Sequence, residues 1–301
     1  MNDEKDYDYE KLAKAGKVSF DALQYAKGLV RPDASLLEVS RKIEEFIKGK
    51  GMRFAFPVNL SINEQAAHYA PLANDETCFT ENDVVKVDLG ARLDDAAGDC
   101  ALTVDLTGRY AKLVDATEEA LEAALSTVKA GRPLNEIGRA AESVAKKHGF
   151  NPIRNLGGHG IEEGELHASI FVPNYDNGDT TVLLDGQVVA IEVFLTTGAG
   201  YVVDTDQLQI FQKIGPASPR SEDTRDVAAF IDDNFGTYPF AMRWLSERFG
   251  SEFKIRRALN ELAGLGALET YPTLVEKTNG IVAQAEKEVI VGKDSCTVVT
   301  K

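Results

Sequence analysis

The sequence predicts an α+β fold in which one helix–helix–loop–strand unit is used twice. Residues 134–149 (LNEIGRAAESVAKKHG) repeat the pattern of residues 36–51 (LLEVSRKIEEFIKGKG), and each copy follows a helix that ends near an Arg-Pro pair. Further along, residues 187–192 (QVVAIE) match residues 83–88 (DVVKVD). Self-similarity of this kind indicates a repeated supersecondary unit. We therefore expect the two units to pack about a pseudo-two-fold axis, with the matching strands meeting at the centre.

The first unit opens with two helices. Residues 9–30 read as a helix closed by Arg31-Pro32-Asp33, and residues 34–50 as a second helix that stops at Gly51. The second unit repeats this arrangement, and its second helix ends beside Lys146, Lys147 and His148.

Residues 83–105 predict two strands that carry carboxylates. The alternation of valine and leucine with polar residues has the period of a strand, and Asp94-Asp95 supplies a turn. With that turn, Asp88 and Asp99 become directly opposed cross-strand neighbours. Facing carboxylates repel each other unless a cation lies between them, so one interpretation is a metal site. The other is an exposed Asp99 beside an ordinary edge residue.

The second unit supplies further candidate ligands. Glu192 lies in the apolar strand 190–194, where an unpaired carboxylate would be costly to bury. His68, His159 and His167 fall where the repeat predicts a site, whereas His148 reads as a solvated helix end. Three histidines with paired carboxylates favour a functional site over a purely structural role.

The composition limits the class of protein. The chain carries 33 basic and 48 acidic residues, a net charge of −15, which argues against a nucleic-acid-binding surface. No apolar run approaches a membrane span, and the start, Met1-Asn-Asp-Glu-Lys-Asp6, is unlike a signal peptide. Three scattered cysteines show no metal-binding spacing and fit a reducing compartment. We expect a cytoplasmic protein without membrane or nucleic-acid partners.

Several motifs, in order along nearly the whole chain, resemble those of methionine aminopeptidases. They are NLSIN (59–63), AAHY (66–69), KVDLG (86–90), GD (98–99), GH (158–159), LHA (166–168), AIE (190–192) and NGIVAQAE (279–286). The match is to the type II branch, because residues 203–271 resemble its helical, winged-helix-like insert. Without a polybasic N-terminal extension, the chain is similar to the compact archaeal form. The resemblance implies a pita-bread catalytic domain formed by residues 1–202 and 272–301, with 203–271 as the insert.

The resemblance also implies a role for each matching position. Asp88 would hold one metal ion, His159 with Glu192 the other, and Asp99 with Glu286 would bridge the two. His68 and His167 would contact the substrate, and Glu192 would accept a proton from the attacking water. The methionine pocket would draw on Phe56, Leu166, Phe194 and Tyr271. Oxygen-rich ligation with one imidazole is expected to suit two divalent ions such as Co, Mn, Fe or Zn.

The implied function is removal of the initiator methionine from peptides and nascent proteins by metal-activated water, with a small second residue favoured. A monomer is expected, and the ribosome is a candidate partner. Two alternatives stay open: an Xaa-Pro dipeptidase or aminopeptidase P-like enzyme, and a catalytically inactive pita-bread protein that binds a partner. The insert and the two histidine motifs disfavour the first, and the complete ligand set disfavours the second.

The sequence also departs from the family pattern. Around Glu286 the resemblance would give Gln-Phe-Glu-His-Thr, whereas this chain has Gln284-Ala-Glu-Lys-Glu288; Val193 replaces the usual proline. We interpret these changes as tuning, with Ala285 widening the pocket and Glu288 adding charge near the site.

The sequence of the insert predicts helices at 223–235, 239–249 and 252–265, followed by the start of a strand at 267–271. Its arginines and lysines are offset by many acidic residues. A pocket wall is therefore favoured over nucleic-acid readout, and Trp244 is expected in the core.

Overall fold

The computed structural model describes residues 7–301, and the acidic start of the chain, residues 1–6, lies outside the described part. The helices are α1 (Tyr9–Leu29), α2 (Leu36–Gly49), α3 (Ala111–Thr127), α4 (Leu134–His148), α5 (Glu222–Asn234), α6 (Met242–Phe249) and α7 (Glu252–Gly264). The first strands are β1 (Arg53–Phe54), β2 (Asn59–Ile62), β3 (Gln65–Ala67), β4 (Val84–Leu89), β5 (Ala91–Leu93), β6 (Ala96–Ala97), β7 (Cys100–Asp105) and β8 (Asn151–Pro152). The later strands are β9 (Gly157–Glu162), β10 (Glu165–Pro173), β11 (Val188–Thr196), β12 (Val202–Lys213), β13 (Phe240–Ala241), β14 (Leu268–Glu276), β15 (Val282–Val291) and β16 (Cys296–Val298). Among residues 7–301, no helix combines the length and the apolar character that crossing a bilayer requires.

Local sequence signals account for the helix ends. The Asp8 carboxylate accepts the Lys11 N–H at the start of α1, and the Ser35 hydroxyl accepts the Glu38 N–H at the start of α2. Beyond α2 the chain turns at Gly51 with φ +75°, a conformation that favours glycine. The helices predicted from the repeat are confirmed in both copies, with ends that differ by one or two residues.

A nine-stranded sheet joins the two copies. Its path runs β10-β9-β11-β15-β7-β4-β2, with β8 on β11 and β16 on β15. Helices α1 and α2 bury their apolar faces against β2, β4 and β7, whereas α3 and α4 bury theirs against β11 and β15. The matching strands β4 and β11 therefore lie in one sheet, separated by β15 and β7.

The predicted pairing of Asp88 with Asp99 is wrong. Asp88 pairs with Ala101, and Leu89 with Cys100, so Asp99 lies just before β7 begins. The chain between them leaves this sheet and forms a separate one with β1, in the order β1-β5-β6. Where the chain leaves the sheet and returns to it, the backbones at Gly90 and Gly98 are in close contact. A Cβ on Gly90 would lie 2.4 Å from the Gly98 carbonyl oxygen.

Residues 203–271 form the three predicted helices around an apolar core of their own. The sheet β13-β12-β14-β3 joins them to the rest of the chain, and β14 runs across the predicted boundary at 271/272. The division into two domains remains a prediction. Trp244 is partly buried and stacks on Phe54 and Phe235, with ring centroids 5.0 and 5.4 Å away.

One buried ion pair connects the insert to the first unit. Arg243 of α6 is bonded to the carboxylate of Glu44 on α2, and its Nε donates to the Pro71 carbonyl at 3.1 Å. The Trp244 indole N–H donates to the same carboxylate at 3.0 Å, and the Ser40 hydroxyl donates to it at 3.4 Å. Arg243 is 2% and Glu44 5% exposed, so this network is a buried contact between α6 and α2.

Candidate metal centre

Three acidic residues lie in one row across the nine-stranded sheet. Glu192 pairs with Glu286, Glu286 with Ala101, and Ala101 with Asp88. Directly paired residues on neighbouring strands present their side chains to the same face of the sheet. The strand registers of the two copies therefore bring Asp88, Glu192 and Glu286 together.

Two groups of potential ligand atoms form around this row. Donor atoms of Asp99, His159 and Glu286 lie within 4.8 Å of one another, as do those of Asp88, Glu192 and Glu286. His159 Nε2 is 3.5 Å from Asp99 Oδ2. All five predicted ligands are thus in one place, and Glu286 belongs to both groups.

The predicted division of these ligands between two ions stays a prediction. The spacing of the donor atoms alone places Glu192 with Asp88, and Asp99 with His159. Gln284 connects two of the predicted ligands, because its amide nitrogen donates to Asp88 Oδ2 at 3.0 Å and to Glu192 Oε1 at 2.7 Å. Gln284 lies in the motif NGIVAQAE (279–286), which predicted no role for it. Its i−2 spacing from Glu286, which places both side chains on one face of β15, was the available signal.

The electrostatics of the site call for cations. Burial raises the pKa of Asp88 to about 7, and burial followed by mutual repulsion raises the pKa of Asp99 and Glu286 well above the usual range. The pKa of Glu192 is likewise raised, by burial and then by the charge of Asp88. Asp88 Oδ1 and Glu286 Oε2 are buried without a hydrogen-bond partner in the described part of the chain. Oxygen-rich donors with unused lone pairs fit divalent ions, which offset this repulsion.

The predicted histidines surround the acidic row. The rings of His159 and His167 are 4.5 Å apart, and that of His68 lies 5.5 Å from Tyr271. Burial lowers the pKa of His68 to about 4 and also lowers that of His159. The pKa of His167 is well below its usual range, because desolvation and then the nearby His159 and His68 disfavour the charged form. All three are therefore neutral at pH 7.

Comparison with known proteins identifies the family. The pattern of metallopeptidase family M24 matches residues 10–232. A methionine aminopeptidase of Pyrococcus horikoshii is 43% identical over 295 residues, which cover 98% of this chain and 100% of that protein. The chain belongs to metallopeptidase family M24. The predicted resemblance to archaeal methionine aminopeptidases is confirmed, and the chain is a metallo-aminopeptidase with the pita-bread fold.

Solved structures agree with this fold. A methionine aminopeptidase from Thermotoga maritima superposes with a TM-score of 0.71 at 25% identity, covering 97% of this chain and 96% of its own. A thermophilic Arx1 structure superposes with a TM-score of 0.85 at 19% identity, covering 96% of this chain and 89% of its own. At that identity the second likeness concerns the fold alone.

A cavity of about 380 Å³ is lined on one side by the five predicted ligands. Each residue predicted for the methionine pocket lines it: Phe56, Leu166, Phe194 and Tyr271. Sequence reasoning missed other lining residues: Pro57, Asn59, Ala67, Leu156, Gly157, Phe171, Ile210, Pro239 and Glu269. Asn59 and Ala67 lie in the motifs NLSIN and AAHY, which assigned them no role, and the others are scattered along the chain outside those motifs. The resulting wall is largely apolar, with His68, His167 and the ligands on its polar side.

The departures from the family pattern divide between the two faces of β15. Ala285 pairs with Val193, and both pack in the apolar layer beneath α3 and α4. The expectation that Ala285 widens the pocket is therefore wrong, since strand alternation turns it away from the cavity. Lys287 also faces this side, where its ammonium lies 2.6 Å from Glu122. Glu288, two residues from Glu286, faces the metal side and is fully buried.

Proposed function

We propose that this methionine aminopeptidase cleaves the N-terminal methionine with two divalent ions held by Asp88, Asp99, His159, Glu192 and Glu286. The observation that carries the proposal is the convergence of these donors, with two unpartnered carboxylate oxygens, at the floor of an apolar cavity. Paired divalent ions supply an activated water and polarise the scissile carbonyl. Glu286, which belongs to both donor groups, is the residue best placed to be shared between them.

We assign the proton transfers to residues beside this centre. The Glu192 carboxylate lies among the ligands and is proposed to accept the proton of the attacking water and to pass it to the leaving amine. His68 Nδ1 lies 3.2 Å from the Pro272 carbonyl oxygen. A neutral ring that donates there keeps Nε2 as an acceptor for a substrate N–H. Neutral His167 is proposed to donate to the substrate carbonyl oxygen as negative charge develops on it.

We propose that the apolar part of the cavity binds the methionine side chain. Phe56, Leu166 and Phe194 are buried, so the thioether would exchange water for a preformed apolar wall. Tyr271 donates to Gln212 and lies beside His167, with ring centroids 5.8 Å apart. These side chains form a wall next to the proposed metal centre, and such a wall supports a preference for substrates whose second residue is small.

We further propose that the enzyme acts on nascent proteins in the cytoplasm as a monomer. Newly made proteins begin with the initiator methionine, which is the group that this activity removes. The net charge of −15 does not favour ribosome association through general attraction to nucleic acid.

The test uses chelator-stripped protein with Mn, Co, Fe or Zn added back, assayed on Met-Ala-Ser, Leu-Ala-Ser and an Xaa-Pro dipeptide. We expect metal-dependent release of methionine alone, with Met-Ala-Ser cleaved far better than a matched Met-Leu-Ser peptide. Preferential cleavage of the Xaa-Pro dipeptide would contradict the methionine pocket, and metal-independent turnover would contradict the metal centre.

A further inference from the structure

Glu288 is a buried carboxylate behind the proposed metal centre. It is 0% exposed, and its Oε1 has no hydrogen-bond partner within residues 7–301. Its Oε2 accepts the backbone N–H of Asp99 at 3.0 Å. Among the described side chains, no lysine, arginine or histidine forms an ion pair with it. A buried, unpaired carboxylate is costly unless a positive charge lies nearby.

The position of Glu288 connects it to the proposed ligands. It follows Glu286 by two residues on β15, so both side chains face the same side of the sheet. It pairs with Ala190, two residues before Glu192 on β11. The hydrogen bond to Asp99 also attaches it to a ligand on the other side of the centre.

The main chain at Glu288 is held independently of its side chain. The Glu288 N–H donates to the Thr300 hydroxyl at 3.0 Å, and its carbonyl accepts the Val299 N–H at 2.8 Å. A substitution of the side chain therefore leaves these two contacts in place. Its effect can be ascribed to the carboxylate.

We infer that Glu288 is a positioning residue that sets metal affinity, because it holds the backbone at Asp99 and adds a fifth carboxylate charge behind the four carboxylate ligands. The inference rests on the proposed metal centre. The divalent ions would place positive charge close to a carboxylate that forms no ion pair within residues 7–301. Groups that orient metal ligands from behind commonly contribute 10–100-fold in affinity.

Two substitutions separate the charge from the hydrogen bond. Glu288→Gln keeps an oxygen that can accept the Asp99 N–H and removes the charge, whereas Glu288→Ala removes both. The matched control is Glu276→Gln, since Glu276 is also a 0% exposed carboxylate. It accepts backbone N–H groups of Gly200 and Gly280, away from the metal ligands.

The measurement is Mn²⁺ titration calorimetry on the stripped full-length proteins, with thermal unfolding recorded before and after Mn²⁺ is added. We expect Mn²⁺ affinity to fall about tenfold in Glu288→Gln and up to about 100-fold in Glu288→Ala, and to stay unchanged in Glu276→Gln. Mn²⁺ should raise the unfolding temperature of Glu288→Gln by less than it raises that of the native chain. A purely structural role would instead move both unfolding temperatures together.

Unchanged affinity in both Glu288 variants, with native Mn²⁺ binding intact, would overturn the inference and leave the proposed function standing. If Mn²⁺ affinity falls in Glu288→Ala but not in Glu288→Gln, the role of the charge would be overturned. Absence of Mn²⁺ binding in the native chain, in contrast, would refute the proposed metal centre itself.

Discussion

Replacing Glu44 by glutamine should destabilise the protein by about 3 kcal/mol. The carboxylate accepts hydrogen bonds from both Arg243 Nη atoms, the Trp244 indole and the Ser40 hydroxyl, and it is 5% exposed. An uncharged amide at this position turns an NH₂ group towards the guanidinium. The buried cation is then left with only the partly exposed Glu247 carboxylate, 3.6 Å from Nη1. Breaking a buried ion pair on one side costs about 3–5 kcal/mol, and the oxygen that glutamine retains favours the lower end.

Urea-induced unfolding of the metal-free protein measures this loss. The control is Glu45→Gln, which removes the neighbouring exposed carboxylate and should change the free energy of unfolding by less than about 0.5 kcal/mol. The double variant Glu44→Leu with Arg243→Met should recover most of the stability, because no charge is then left unpaired. Loosened α6 packing should also raise KM more than it lowers kcat, since the insert supplies Tyr271 to the cavity. A loss below about 1 kcal/mol, or an equal loss in the control, would refute the reasoning.

Three further predictions concern the metal centre. Asp99→Asn and Glu286→Gln should each lower the bound metal, measured by elemental analysis, and abolish turnover; full activity in a metal-poor variant would exclude that residue as a ligand. His167→Ala should keep the bound metal and lose about 10²–10³ in kcat, so an unchanged kcat would remove His167 from the mechanism. In the metal-free protein, the pKa of Asp88 is about 7 when folded against 3.8 when unfolded, so the folded state binds an extra proton between these values. Asp88 should therefore add at most about 4 kcal/mol to the free energy of unfolding as the pH falls from about 7 to about 4, beside the contributions of the other raised carboxyls, and Asp88→Asn should make the total rise smaller.

The sequence predicted those parts of the fold that local pattern determines. The repeat and its helices follow from apolar spacing and from a stop signal such as Gly51, whereas the cap at Ser35 places the start of α2 two residues later than predicted. The five proposed ligands came from matched motifs, and the structure brings them together. The predicted hairpin failed because turn rules assume that both strands stay in one sheet, whereas close contact between Gly90 and Gly98 sends the chain into another.

The supporting residues were not predictable from pattern alone. Gln284 joins Asp88 to Glu192, and this link depends on strands from distant parts of the chain. Similarly, an Ala285 side chain could be assigned to the pocket or to the helix layer only after the direction of β15 was known. One residue of register decides between these faces.

The proposed ligands come from separate stretches of the polypeptide. Asp88 and Asp99 precede the β7–α3 connection, and His159, Glu192 and Glu286 follow it. A chain cut in this connection would give two fragments, neither of which carries the full set of donors. Divalent ions would then hold the fragments together by mass action, adding about 2.7 kcal/mol to their association when the free ion is at 100 times its dissociation constant. In such a cleaved chain, bound metal would thus add to the pairing of β7 with β15 in keeping the two halves assembled.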